Sequence, residues 1–306
     1  MLTLRGTSTK PGWIALAPEG DRVHLVHLVR GGEGMPALRW AGTEPWGDPS
    51  GSMRAVRRAR SLRRHRLVAV LPHTQYRLVT IDAPDLPREE WRDAIRWRLK
   101  DLVDFPVDSA GIDLLDIPAD PLQPRRASVL AVAAARASLG PLVDAASDAG
   151  VPWQAIDVQE TALRNLAALG TRTDRAEALL HVGTTRSTVV VVAKGELLLA
   201  RHIEATLHSL TQDDRDARQQ QFERASLELQ RTLDSVERQF GQADLARLQV
   251  APGAPLIDFI QYVRDLVYVP VTAFELASVI DLSAVPDLLD PTEQAVFLPA
   301  IGAALR

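Results

Sequence analysis

The sequence predicts an α/β protein of two halves, with a smaller block of mixed structure set into the first. Three observations carry that prediction. A strand hairpin opens the chain at Trp13 to Val29, a second pair of strands with a small-residue loop opens the other half at Ala178 to His202, and residues 73–151 hold their own alternation of strands and helices. With 306 residues, 46% hydrophobic and 24% charged, the chain is long enough to bury two cores of ordinary size.

The first hairpin consists of two apolar runs around Pro18-Glu-Gly-Asp21, residues suited to reversing the chain. A third strand or loop follows at Ala37 to Trp40. Arg54 to Arg66 carries seven arginines and reads as a helix whose Ala55, Val56, Ala59 and Leu62 pack inward; Leu67 to Leu71 is then a short buried strand. Seven arginines on one segment fit a solvated helix face, or attraction to acidic lipid heads at about 1 kcal/mol per residue near the surface. No aromatic residue is interleaved among them, so stacking on nucleic-acid bases has no support.

Within the inserted block the expected order is a strand at Tyr76 to Ile81, a proline-rich turn, a helix at Arg88 to Val103 and a strand at Gly111 to Ile117. A loop at Asp120 to Arg126, a strand at Ala127 to Ala134 and a helix at Arg136 to Ala149 ended by Gly150 complete it. Trp91 and Trp97, about 120° apart on one helix, put one ring in a core and leave the other for a partner or a neighbouring wall. Trp153 to Val158 is a strand and Glu160 to Leu169 a helix, with a boundary at Gly170 and Thr171 to Asp174.

Ala178 to His202 reads as two strands joined by a tight turn, with Gly183-Thr184-Thr185 at the head of the first. In the helix from Asp214 to Phe240, Phe222, Ala225, Leu229, Leu233, Val236 and Phe240 recur at steps of three and four. A strand at Arg247 to Ala251, a loop at Pro252 to Pro255, a helix at Leu256 to Leu266, a strand at Val269 to Ala273 and a helix at Pro291 to Leu305, capped by Asp290 or Thr292, finish the chain. The expected domains are 1–72 with 152–175, an inserted subdomain at 73–151, and a second domain at 176–290, with the helix at 291–306 assigned to the first.

Several function classes are excluded early. A net charge of -4 gives no general attraction to nucleic acid. Without cysteine there is no disulfide framework, thiol nucleophile or thiolate zinc site. Ser128, Ser138 and Ser187 stand in no Gly-x-Ser-x-Gly elbow, and His24 and His27, three apart on a strand, face opposite ways. The first residues lack the apolar core of a secretion signal, and no run reaches the roughly 18 apolar residues that span a bilayer. The chain reads as cytoplasmic.

Gly183, Thr184 and Thr185, followed by Ser187, form the kind of loop that lets backbone N–H groups approach a phosphate. Hydrolysis of a nucleotide also needs an acid beside that loop to hold a metal or order water, and the residue there is His181.

Two halves that each open on such a hairpin, with helices between, resemble the actin and Hsp70 superfamily of ATPase folds, which are ribonuclease H-like two-domain proteins. The block at 73–151 resembles the subdomain inserted in the FtsA and PilM branch. Arg88 to Pro106, a helix ending at an aromatic-Pro pair, and Leu227 to Phe240 with Leu248-Gln-Val-Ala-Pro252, are similar to the PilM-like pilus proteins, closest to the MshI type of the mannose-sensitive haemagglutinin (MSHA) pilus. The resemblance implies a nucleotide cleft made from two Asp-x-Gly hairpins and a Gly-Gly loop. Here the first hairpin has Pro18 and no Asp-x-Gly, the second has His181, and the third loop keeps only Gly253 between Pro252 and Pro255. Glu160 matches a polar residue that faces the cleft in relatives.

The expectation is therefore a vestigial cleft of Gly183, Thr184, Thr185, Ser187, Glu160 and Gly253, with no catalytic residue, no metal site and no cofactor, ATP with magnesium being the alternative. What the resemblance implies for function is a scaffold that docks the short cytoplasmic N-terminus of a bitopic inner-membrane pilus protein and so lies peripheral to that membrane, binding no nucleic acid. A homo-oligomer is left open. A PilM-like nucleotide-binding or ATP-hydrolysing regulator is one alternative. Another is a GspL-like component of a type II secretion platform, which would ordinarily continue into a transmembrane helix where this sequence ends at Arg306.

Overall fold

In the computed structural model, residues 11–31, 34–118, 128–170, 175–240 and 244–306 are described. The first hairpin is β1 (Trp13–Glu19) and β2 (Arg22–Val29), paired antiparallel from Trp13 opposite Leu28 to Glu19 opposite Arg22. Its turn is Gly20-Asp21, with Gly20 in the left-handed region. Pro18 therefore lies in the strand, opposite Val23, and not in the turn as expected. It is tolerated there because the parallel ladder on the other side of β1 has already ended at Leu16 opposite Ala69.

The strand β3 (Ala37–Pro45) is longer than the sequence suggests and borders β2; β4 (Arg66–Val70) runs parallel to β1, and β8 (Ala155–Asp157) runs parallel to β4. The sheet order is β3-β2-β1-β4-β8. The second sheet repeats it: β11 (Glu196–Ile203), β10 (Ser187–Ala193), β9 (Ala176–Val182), β12 (Leu245–Ala251) and β13 (Val271–Ala273), with the same alternation of antiparallel and parallel pairs. Where two strands were expected there are three, because Gly183 to Arg186 and Lys194-Gly195 both reverse the chain. Lys194 and Gly195 take positive φ, as the tightest hairpin turns require.

The outer face of the first sheet is covered by α1 (Pro49–Arg60) and α3 (Arg136–Asp148), where Met53, Val56, Ala145 and Ala146 join Ile14, Leu16 and Leu25. Pro49 at the first helical position starts α1 earlier than the arginine run indicates, since its fixed φ suits that place. The second sheet's outer face is covered by α6 (Arg215–Gln239) and α7 (Ile257–Arg264), with Phe222, Leu229 and Leu233 buried as their spacing predicts. A short α5 (Leu207–Thr211), closed by a reciprocal Thr206–Ser209 cap, precedes α6.

Between the sheets lie α4 (Gln159–Gly170) and α8 (Pro291–Ala304), packed on each other. The helix α4 follows β8 and leads to the second sheet, while α8 returns from the second half onto β1, β2 and β4. Apolar all round, α8 is buried along most of its length, with Asp290 accepting from the Thr292 N–H as its cap.

In 73–151, β5 (Tyr76–Asp82), β7 (Ser128–Ala134) and β6 (Gly111–Asp116) form an antiparallel sheet in that order. They share a core with α2 (Trp91–Leu99), whereas α3 packs against α1. The helix expected at Arg88 to Val103 is shorter, entered through a tight turn at Arg88–Glu90. Trp91 is half-buried and donates from Nε1 to the Leu86 carbonyl at 2.8 Å; Trp97 is exposed. The Asp120 to Arg126 loop and the Thr171 to Asp174 boundary lie outside the described residues. Among the described residues, no helix is long and apolar enough to cross a membrane.

Candidate functional site

A cleft of about 310 Å³ lies where the tips of the two hairpins face each other, floored by α8. The first hairpin supplies Pro18, Glu19 and Gly20, the loop after β4 supplies Pro72 and His73, and the second hairpin supplies Gly183 to Arg186. Gln159, Ala295 and Pro299 come from the two central helices. The cleft is bridged: the Thr184 hydroxyl donates to Glu19 Oε1. The other oxygen of Glu19 lies 3.5 Å from His24 Nε2, and hydrogen bonding to His24 and then to Thr184 holds this carboxyl below the ordinary carboxylate range, against the opposing effect of burial.

Three of the six expected cleft residues meet here and three do not. Gly183, Thr184 and Thr185 line the cleft. A side chain on Gly183 would place its Cβ 2.7 Å from the Arg186 carbonyl oxygen, so the turn itself requires glycine there, whatever the cleft holds. Ser187 is fully buried and donates to the Ala205 carbonyl at 2.8 Å, fixing the start of β10. Gly253 sits in a buried turn, where a Cβ would lie 2.8 Å from that of Ala273. Glu160 is fully buried and its neighbour Gln159 takes the place on the cleft wall.

His181 occupies the central strand of the second sheet and is 2% exposed. Its Nε2 donates to the Ala295 carbonyl at 2.8 Å, and its Nδ1 accepts from the Gln159 amide at 3.1 Å. A carbonyl only accepts, which assigns the proton to Nε2 and leaves a neutral ring with both nitrogens engaged. Burial pushes its pKa below the ordinary imidazole value and so keeps it neutral.

For a magnesium–nucleotide group the described cleft wall offers a single carboxylate. Magnesium takes hard oxygen ligands, usually with a carboxylate or two. Among the described residues, Glu19 is the only acid on the cleft wall, and both of its oxygens are engaged. No group of three or more histidine and acid side chains is placed to hold a metal ion among the described residues. Arg186 and His73 also line the cleft, each with its pKa lowered chiefly by burial.

Beside the cleft, a polar cluster around buried Glu160 of α4 joins the three-stranded sheet to the second sheet. Tyr76, the first residue of β5, donates to Glu160 Oε2 at 2.6 Å. His202 of β11 lies 3.2 Å from Glu160 Oε1, and its Nδ1 lies 3.2 Å from the Thr188 hydroxyl. Burial, then the negative Glu160, push the Tyr76 phenol well above its ordinary pKa, so it remains a donor. Sequence reasoning missed Glu19, Tyr76, Gln159 and His202 as members of a site. Only Glu19, the last residue of β1 before the Gly20-Asp21 turn, carried a local signal.

Neither a protein family nor a curated protein matches the sequence. Solved structures do. A PilM-PilN type IV pilus biogenesis complex aligns over 96% of this chain and 98% of its own, with a TM-score of 0.71 and 19% identity. A Bacteroides thetaiotaomicron protein described as having an actin-like ATPase fold and unknown function aligns over 92% of this chain and 96% of its own, at TM-score 0.50 and 10% identity. The fold is actin-like. The cytoplasmic domain of EpsL, an inner-membrane component of the Vibrio cholerae type II secretion system, aligns over 78% of this chain and 80% of its own at TM-score 0.48 and 12% identity. Two sheets of one order, joined through α4 and α8 with the cleft between their hairpins, are the actin-like arrangement in this chain.

Proposed function

We propose that this chain is a non-enzymatic scaffold of a type IV pilus assembly platform, of the MSHA-like kind, which docks the short cytoplasmic N-terminus of a bitopic inner-membrane protein. The observation that carries the reading is His181: where a nucleotide-splitting site of this fold needs an acid, a neutral imidazole is bonded on both sides to the protein's own Gln159 and Ala295. The nearly full-length likeness to a PilM-PilN complex supports the pilus context. The reading puts the docking place along β5, which among the described residues is an edge strand paired with β7, and α2. An extended peptide can add to such an edge through main-chain hydrogen bonds.

Gly183, Thr184 and Thr185 on the cleft wall favour the second reading, a nucleotide-regulated PilM-like protein. Two measurements separate the readings. Co-purification with the N-terminal peptide of the membrane protein encoded beside this one is expected, and failure with both peptide and full partner sinks the scaffold. Calorimetric titration with ATP and magnesium is expected to show no binding, and micromolar affinity would overturn the scaffold-only reading.

A further inference from the structure

The arginine run has no part in the cleft. Between Asp48 and Asp82 the sequence has no acidic residue at all, in a chain whose net charge is -4. The fold gathers the second half of this run at one end of the first sheet. Arg60 ends α1, Arg63 and Arg64 lie in the turn that follows, and Arg66 begins β4 opposite Trp13. All four are exposed, and none forms an ion pair among the described residues. The positive charge is thus unneutralised by the protein itself.

Two half-buried tryptophans lie under this charge. Arg60 is 4.6 Å from the ring centre of Trp40, and Arg66 is 5.7 Å from that of Trp13. The aromatics missing from the arginine run in sequence are supplied by β3 and β1. Each ring has a guanidinium over one face, which leaves less of it to stack on bases. Arginine with tryptophan at one level suits a lipid headgroup region, where phosphate meets the charge and the ring tolerates the interface. Since β1 runs from Trp13 to Glu19, the cleft lies roughly 20 Å away at the other end of the strand.

We propose that the end of the first sheet carrying Arg60, Arg63, Arg64 and Arg66 is a docking face for an anionic lipid surface, with the cleft turned away from it. This stands apart from the scaffold reading, because it needs no protein partner. The test is co-sedimentation of the full chain with phosphatidylcholine vesicles and with vesicles containing phosphatidylglycerol. Pelleting is expected only with the anionic vesicles and should fall as salt rises. Changing Arg63 and Arg64 to Gln, two exposed side chains that stack on neither tryptophan, should weaken it by about fivefold per residue, and changing both to Lys should preserve it. Equal pelleting with neutral vesicles, none with anionic ones, an unchanged double Gln variant, or tighter binding to duplex DNA than to anionic vesicles would each overturn the proposal.

Discussion

His181 Nε2 donates to the carbonyl of Ala295 across 2.8 Å, pinning the second turn of α8 to the central strand of the second sheet. On the proposed reading this donor stands where hydrolysis would need an acid. His181→Asp would set an acceptor-only carboxylate against that carbonyl in a buried site and leave Gln159 as its one donor. A loss of about 2–4 kcal/mol in denaturant unfolding is expected, with no gain of ATP hydrolysis. Hydrolysis by this variant would show that the cleft is a repairable active site.

The same histidine gives stability a pH dependence. Its folded pKa is depressed by burial, so the unfolded chain takes up the proton first. Its contribution is present above the ordinary imidazole pKa of about 6.5 and is lost as pH falls below it toward the folded value. His73, also depressed by burial, acts with the same sign. The midpoint of thermal unfolding should therefore fall between pH 7 and pH 5, and His181→Asn should flatten the fall without abolishing it.

Thr184 and Glu19 join the two hairpin tips across the cleft. Thr184 is exposed, so Thr184→Val should cost no more than about 1 kcal/mol, while hydrogen exchange in the Gly183 to Arg186 turn should rise. Glu19 has a depressed folded pKa, so its share of this closure is present above the ordinary carboxylate pKa and lost as pH falls through the folded value. Unchanged exchange in the Val variant would mean that the bond does not hold the tips together.

Tyr76 and Glu160 couple the three-stranded sheet to α4 through a buried hydrogen bond of 2.6 Å. Removing the hydroxyl leaves a fully buried carboxylate with His202 as its remaining partner. Tyr76→Phe should cost about 2–3 kcal/mol, and adding Glu160→Gln should cost less than the sum of the two single changes. Additive losses would show that the contact carries no coupling.

The regular parts of this fold were legible in sequence because α6 buries one face, while β1 and β4 are buried on both and so read as unbroken apolar runs. Phe222 to Val236 on α6 and the apolar runs of β1, β4 and β12 announce their partners by spacing alone. The third strand of the second sheet was harder to separate, since the chain reverses twice between Ala178 and His202, at Gly183 to Arg186 and at Lys194-Gly195, where one tight turn was expected. The cleft was legible only at Gly183 to Thr185. Tyr76, Glu160 and His202 are brought together by three different elements, and no local pattern records a contact between residues 84 positions apart. His181 was noticed for what it displaced, whereas its role as a bridge depends on Ala295, 114 residues on.

The closest approach of the two central helices sets the last prediction. A Cβ at Gly302 would lie 2.1 Å from the backbone carbonyl oxygen of Ala162, and the Gly302 carbonyl already accepts from the Asn165 amide at 3.0 Å. Backbone cannot rotate away as a side chain can, so Gly302→Ala must lift α8 from α4. A loss of about 1–3 kcal/mol is expected. Because the clash is with main chain, Ala162→Gly should not restore stability; rescue by that change would place the contact between side chains and refute the close helix crossing.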